Sequence, residues 1–286
     1  MRYQFIREHR KEFSVQRMCQ LLGVTRSGYY AWQPGQLSPR QLENQVLLEQ
    51  IQVEYKTSRQ TYGSPRIWVR LLGLGLACGR HRVARLMRKE GIRPQKRHKW
   101  HPVTTQRQPG AIPAPNRLNQ DFSATAANTK WVGDITYVDT AQGWLYLAII
   151  LDLFSRKVVG WAMSEHIDTA LVATALQMAL QTRRPKTTLL HHSDQGSQYT
   201  SAAYQSTLTD WNIQPSMSRV ANCYDNAVAE SFFSTLKAEC VTYQFATHAQ
   251  ARTTIFEYIE VWYNRQRLHS SLGYLSPVEF EQQYGH

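Results

Sequence analysis

Apolar residues follow two different rhythms along this chain. Before about residue 92 they recur every three or four positions. From about residue 125 they alternate or gather in short runs. The first rhythm predicts helices and the second predicts strands interleaved with helices.

In the first region, SVQRMCQLLGV places Val15, Met18, Cys19 and Leu22 at helical spacing. Ser14 is suited to cap that helix and Gly23 to turn the chain after it. Thr25 is suited to cap a second helix over TRSGYYAW. Two short helices about a glycine turn make a helix-turn-helix, although an ordinary helical hairpin has the same spacing. A second unit follows. SPRIWVRLLGLGL carries Ile67, Leu71 and Leu74 on one face, with Pro65 in its first turn. CGRHRVARLMRKEGI has Val83, Leu86 and Met87 as its apolar stripe, and Arg80, Arg82, Arg85, Arg88 and Lys89 around the remainder. Residues 94–116 hold Pro94, Pro102, Pro109, Pro113 and Pro115 without apolar periodicity and read as an extended linker.

In the second region, KWVGDITYVDT, GWLYLAIILDL and KVVGWAMS are three strands separated by short turns, which predicts an antiparallel meander. DTALVATALQMALQT is an amphipathic helix capped by Asp168. TTLLHHSD is a buried strand, SAAYQSTLTDWN a helix, IQPSMS a short strand and DNAVAESFFSTLKAEC a helix. This order predicts an α/β, ribonuclease-H-like mixed sheet with flanking helices, preceded by an all-helical, helix-turn-helix-type DNA-binding region. The tail, FEYIEVWYNRQRLHSSLGYLSPVEF, adds a helix, an Arg-rich turn and a last short helix from Ser276-Pro277. The expected boundaries are 1–60 for the helix-turn-helix region, 61–95 for the second helical DNA-binding unit and 96–124 for the Pro-rich basic linker. Residues 125–242 then form the ribonuclease-H-like core and 243–286 a helical tail.

Charge reinforces the division. The 286 residues carry a net charge of +12, but residues 1–120 hold 22 Lys and Arg against 6 Asp and Glu, whereas residues 121–286 hold 11 against 15. A segregated basic surplus fits nucleic-acid binding, because each cation beside a phosphate releases counterions from the duplex. Arg17 and Arg26, flanking the first helical pair, join Arg80, Arg82, Arg85, Arg88 and Lys89 as candidate DNA contacts. Cys19, Cys78, Cys223 and Cys240 are scattered, with no CxxC pair, which argues against a disulfide framework or a Cys-rich zinc site. The longest apolar run, Leu145 to Leu151, is too short to span a bilayer, and MRYQFIREHRKEF lacks a signal-peptide core. A cytoplasmic, nucleoid-associated protein without a membrane partner is expected.

Three acids stand out against this pattern. Asp134 interrupts an apolar strand, where an unpaired carboxylate is costly. Asp194 ends the fourth strand, a place where α/β folds put chemistry. Glu230 lies one turn into the last helix of the core. Carboxylates brought together in this way could hold the divalent metals used in phosphodiester chemistry. Each acid alone is equally compatible with a structural role. Asn226, Glu230 and Lys237 share one helix face, opposite Val228, Phe232 and Leu236, while Phe233 lies near the Glu230 face. Lys237 is a candidate DNA contact near the scissile phosphate and Asn226 a positioning group. Asp152, at the end of its strand, is placed to pair with Arg156, Asp168 and Asp225 read as helix caps, and His191 and His192 read as satisfied structural histidines.

WVGDITYV, HHSDQGSQYTS and YDNAVAESFFSTLKAE resemble the three catalytic blocks of retroviral-integrase-like DDE transposases. The 35 residues between Asp194 and Glu230, and the lysine seven positions after Glu230, match that group. YGSPRIWVRL, GRHRVARLMRKEGI, DLFSRKVVGW and YNRQRLHSSLGYLSPVEF extend the resemblance over essentially the whole chain, to the second-reading-frame (OrfB) proteins of the third insertion-sequence family. The resemblance implies an Mg²⁺-dependent nicking and strand-transfer enzyme with Asp134, Asp194 and Glu230 as its catalytic and metal-binding residues. Two metal ions per site are expected, with Mn²⁺ as a substitute. In such enzymes water, and then a DNA 3′-hydroxyl, attacks a phosphodiester without a covalent enzyme intermediate. The expected partners are DNA, as terminal inverted repeats and target, a homo-oligomer on that DNA, and an upstream reading-frame product fused to or paired with this chain. The competing readings are a non-catalytic DNA-binding protein and a ribonuclease-H-like nuclease without strand transfer.

Overall fold

A computed structural model describes residues 1–32, 38–94, 113–219 and 223–285. They form two compact units, one of Met1–Thr57 with Ile67–Arg93 and the other of Ser58–Arg66 with Pro94–His286. Most of the expected linker, residues 95–112, lies outside the described residues.

The first unit is helical, with α1 (Arg2–His9), α2 (Val15–Leu21), α3 (Arg26–Trp32), α4 (Pro39–Thr57) and α6 (Arg80–Lys89); α5 (Ser64–Gly73) begins in the Ser58–Arg66 segment and continues here. The caps follow the local chemistry. Ser14 Oγ accepts the Arg17 N–H at 3.3 Å, and Thr25 Oγ1 accepts that of Gly28 at 3.0 Å. Gly23 turns the chain at φ +59°, a conformation that favours a residue without Cβ. Ile6, Met18, Cys19 and Tyr29 close a small core. The 19-residue α4 and the short α1 escaped the sequence reading. On α4, Leu47 and Ile51 are buried while Leu42, Val46 and Val53 are exposed, so apolar residues on several faces blur the helical stripe. Leu74, expected beside Ile67 and Leu71, lies past the end of α5 and is exposed.

The second unit is built on a five-stranded sheet of order β3-β2-β1-β4-β5. Strands β1 (Lys130–Thr140), β2 (Gly143–Asp152) and β3 (Val158–Ser164) form the expected antiparallel meander. Strands β4 (Leu189–Ser193) and β5 (Ile213–Met217) join parallel to β1 and to each other. Helix α7 (Thr169–Arg183) packs on β3 and β2, and Asp168 caps it by accepting the Leu171 N–H at 2.9 Å. The core lies between this helix and the sheet, and includes Trp131, Ile150, Val172, Leu176 and Leu180. A short α8 (Ser197–Thr200), α9 (Ala202–Asp210), a 3₁₀ turn at Cys223–Asn226 and α10 (Ala227–Glu239) complete the succession. This is the ribonuclease-H-like architecture expected from the element order.

The close seat of α7 depends on Gly160 of β3. A Cβ there would collide with the Ala175 carbonyl oxygen and come within 2.8 Å of Ala179. Gly160→Ala is therefore expected to push the helix from the sheet and cost about 1–3 kcal/mol, the usual range for overpacking. A lowered melting midpoint would show this.

The tail is tied to the same unit. Helix α11 (His248–Glu257) runs into a π-helical turn, Tyr258–Tyr263, which breaks the expected helical register. Asn264 Nδ2 donates to the Val158 carbonyl at 2.9 Å, and its Oδ1 accepts the Val158 N–H at 3.0 Å. Ser276 and Glu279 form a capping box for α12 (Pro277–Tyr284), as the Ser-Pro step suggested. Glu281 of that helix accepts from Arg183, Lys157 and Ser155. Arg183 also reaches Asp152 at 3.4 Å. Asp152 is thus partnered by Arg183 rather than by the Arg156 side chain, because α7 brings Arg183 across the sheet end while Arg156 points elsewhere.

Nearby, Tyr62 of the Ser58–Arg66 segment is buried, and its hydroxyl accepts the Leu268 N–H at 2.7 Å. Its ring lies 5.7 Å from that of Trp262.

Candidate active site

The parallel pairing of β1 with β4 runs Lys130–Leu190, Trp131–His191, Val132–His192. Continued by two residues on each strand, that register brings Asp134 level with Asp194 and on the same sheet face. Asp134 therefore lies within β1, just beyond its last pair with β4, and Asp194 lies just past the C-terminal end of β4. On the other side of β1, Asp134 is paired with Ile149. Asp134 Oδ1 accepts the Ile135 N–H at 2.8 Å, and Asp194 Oδ1 accepts that of Gly196 at 2.9 Å, which starts the turn into α8. Both side chains are half-buried. Glu230 is exposed in the first turn of α10, a helix packed on β1.

Electrostatics couple these elements. Burial pushes the Asp134 carboxyl well above the usual carboxylate range; Asp194 raises it further and Glu230 adds to this, while the Ile135 N–H and Lys237 oppose. Lys237 is half-buried, and burial lowers its ammonium pKa against the pull of Asp134. Asp134, Asp194, Glu230 and Lys237 are thus close enough to feel one another. Among the described residues no three His, Cys, Asp or Glu side chains form a ready cage for a metal ion.

Sequence reasoning missed two residues here. Tyr199, on α8, is buried, and its hydroxyl has no hydrogen-bond partner among the described residues. Burial raises its pKa, Tyr204 adds to this, and Asp134 and Asp194 follow. Its position five residues after Asp194 was the available signal. The second is Asp225, expected as a helix cap. It is fully buried and accepts from Arg219 Nη2 at 3.0 Å, Asn116 Nδ2 at 2.9 Å and Gln120 Nε2 at 3.0 Å. Arg219 holds this carboxyl far below the usual range, against burial. Asp225 thus fastens the chain just before α10 instead of capping it. Asn226 takes the N-cap position but makes no side-chain cap bond, and its Oδ1 is buried without a partner among the described residues.

Phe232 and Leu236 face the interior as expected, and so does Phe233, whereas Val228 is half-buried. Both histidines are buried, and burial lowers the pKa of His191 to about 3 and of His192 to about 4. Tyr204 meets His191 Nε2 at 2.7 Å, while Ser216 and Ser218 meet the two ring nitrogens of His192. These are neutral structural groups.

In the helical unit Arg17, Arg26, Arg80, Arg85, Arg88 and Lys89 are exposed. Arg82 is half-buried against α4, donating to Asn44 at 2.8 Å and Glu43 at 3.0 Å.

A mixed five-stranded sheet of this order, with an acid inside β1 electrostatically coupled to one just past β4 and one on α10, suits an integrase-type core. Residues 124–223 match the integrase core domain family, residues 230–284 match a second family of that description, and residues 41–100 match an HTH-like domain. The Escherichia coli K12 transposase InsF for insertion sequence IS3A is 43% identical over 284 residues, 98% of either chain. The insertion element IS600 uncharacterized 31 kDa protein of Shigella sonnei is 44% identical over 268 residues, 93% of this chain and 98% of its own. The HTLV-2 integrase catalytic core domain, solved in complex with magnesium, covers 57% of this chain and all of its own at 15% identity and a TM-score of 0.43. The chain belongs to the InsF family of IS3 insertion-sequence transposases. It is an enzyme of the polynucleotidyl-transferase class, with an HTH-like region ahead of an integrase core.

Proposed function

We propose that Asp134, Asp194 and Glu230 form the centre with which this transposase cuts DNA at the ends of its element and joins them to a target. The observation that carries the reading is the last β1–β4 pair, Val132 with His192, which leaves Asp134 and Asp194 each two residues further on, together with the upward push that Asp194 and Glu230 exert on Asp134. A carboxyl so placed calls for a cation, and Lys237 alone does not balance three acids. Hard carboxylate oxygens suit Mg²⁺, with Mn²⁺ as a substitute and two ions per site as the expected number. Asp134, Asp194 and Glu230 would hold the metal, which when bound would supply activation of the attacking oxygen and offset charge on the phosphate and leaving group.

The remaining work falls to the protein. Strands β1 and β4 fix two acids, and Asp225 anchors the start of the helix that carries the third. Lys237, beside Asp134, supplies a cation toward the scissile phosphate, and the buried Asn226 Oδ1 accepts from a donor that helps to position the site. Arg17, Arg26, Arg80, Arg85, Arg88 and Lys89 hold backbone phosphates of the terminal repeats, while Arg82 braces α6. Residues 125–242 act as the catalytic core with 243–286 as its tail, and the helical region ahead of them, Ser58–Arg66 apart, binds DNA. Assembly as a homo-oligomer on DNA, joined by the upstream reading-frame product, completes the reading.

Duplex DNA carrying an element end with a labelled 3′ strand tests it. With Mg²⁺ the expected products are a nicked end and a longer species joining the label to target DNA. Removal of Mg²⁺ with EDTA should abolish both. Joining that persists in EDTA would overturn the metal assignment, and nicking without joining would leave a nuclease.

A further inference from the structure

Helix α10 has a second working face. At 100° per residue, Val228, Ser231, Phe232 and Thr235 lie opposite Glu230 and Lys237. They form one wall of a pocket of about 340 Å³, whose other walls include Arg66, Arg156, Arg267 and His269. Three guanidinium groups converge there. Arg267 is committed: its Nε and Nη2 donate to Glu239 at 2.9 and 2.8 Å. The other two are not. Arg66 lies over the Tyr62 ring at 5.3 Å. Arg156 reaches only the Phe122 carbonyl, at 3.4 Å through Nη2, and its Nη1 is buried with no hydrogen-bond partner among the described residues. No salt bridge to Arg66 or Arg156 is found among those residues.

We propose that this pocket seats a phosphate group of the DNA backbone, gripped by Arg66 and Arg156. The proposal rests on the reading of the chain as a transposase that acts on DNA. A guanidinium fork is shaped for two phosphate oxygens, and a buried, unpartnered Nη1 requires an acceptor that the fold itself does not provide. Burial lowers the pKa of Arg66 and of Arg156, and the same three arginines, after burial, keep His269 neutral. The pocket thus holds surplus positive charge in a partly dry place, which an anion relieves. Ser231 and Thr235 add hydroxyl donors. The seated phosphate is not the scissile one, because the thickness of α10, about 10 Å, separates the two faces.

Binding of the full chain to an element-end duplex, measured by fluorescence anisotropy in EDTA over a range of salt, tests the proposal without involving catalysis. Arg66→Gln is expected to weaken binding about tenfold and to flatten the plot of log affinity against log salt by about one unit. A scan of single methylphosphonate linkages should find one position where the neutral linkage weakens the wild type to a similar degree and leaves Arg66→Gln unaffected. Unchanged affinity and slope in Arg66→Gln would overturn the proposal. If DNA binding is unchanged while inorganic phosphate raises the melting midpoint of the wild type but not of the variant, the pocket takes free phosphate and the DNA assignment fails. Should Arg66→Gln not fold, Arg156→Lys keeps the charge and loses the fork; a methylphosphonate scan identical to that of the wild type then overturns the proposal. Because binding is read without metal, its failure leaves the nicking assay of the catalytic acids standing, and the reverse holds.

Discussion

Asp134→Asn should leave the protein folded and reduce Mg²⁺-dependent nicking of element-end DNA on the order of 10³-fold or more, the scale seen when one member of a catalytic unit is removed. The amide keeps the size of the side chain and its acceptor for the Ile135 N–H, but removes the negative charge. Stability should move the other way. The folded protein holds the Asp134 carboxyl above its ordinary value. In the metal-free protein the charged form is therefore disfavoured, and stability is lost as pH rises from the carboxylate range through the raised value. Asn removes that cost, so the melting midpoint at neutral pH should stay level or rise. Cleavage at the wild-type rate would sink the assignment of Asp134. Lost cleavage together with a lowered midpoint would point to damage to the fold.

The second large effect concerns the far end of α10. Glu239 is almost fully buried and receives Arg267 through Nε and Nη2, with the Tyr258 hydroxyl at 2.9 Å. Burial alone would raise its carboxyl pKa, but the Arg267 bonds prevail and hold it below the usual value. Glu239→Ala strands the Arg267 guanidinium, and should cost about 3–5 kcal/mol in urea unfolding. Replacing both partners by Met should cost much less, because no unpaired charge remains. A single-variant loss under about 1 kcal/mol would show that water or another acid takes over. A depressed carboxyl contributes stability above its unfolded pKa and loses it as pH falls through the folded value, so the variant and wild type should converge in acid.

The parts of this protein that could be read from its sequence are those with a local cause. Asp134 stood out because Val132 and Ile135 made its strand apolar, and Asp194 because it closes the run TTLLHHS. The caps Ser14, Thr25, Asp168 and Ser276 bond within three residues, and each was visible. Helix α4 was hidden because Leu42, Val46 and Val53 do not share the buried face of Leu47 and Ile51. Asp225 looked like a cap because its partners Asn116 and Gln120 lie more than a hundred residues away. Arg183 and Glu281, or Glu239 and Arg267, are likewise joined only by the fold. Tyr199 carries no local mark beyond its closeness to Asp194 in sequence; Asp134, whose charge also reaches it, is brought near by the fold.

The nine residues Ser58–Arg66 belong with the integrase core, although they precede α6 and the Pro-rich stretch in sequence. Tyr62 fills the space beside Trp262 and holds the Leu268 N–H. A catalytic core cut from the gene at Pro94 would therefore lack one of its own buried side chains. In evolutionary terms the helical unit cannot be exchanged as a simple leading cassette. No single recombination crossover parts the two units cleanly: one before residue 58 divides the helical unit, and one after Arg93 leaves this short strap behind.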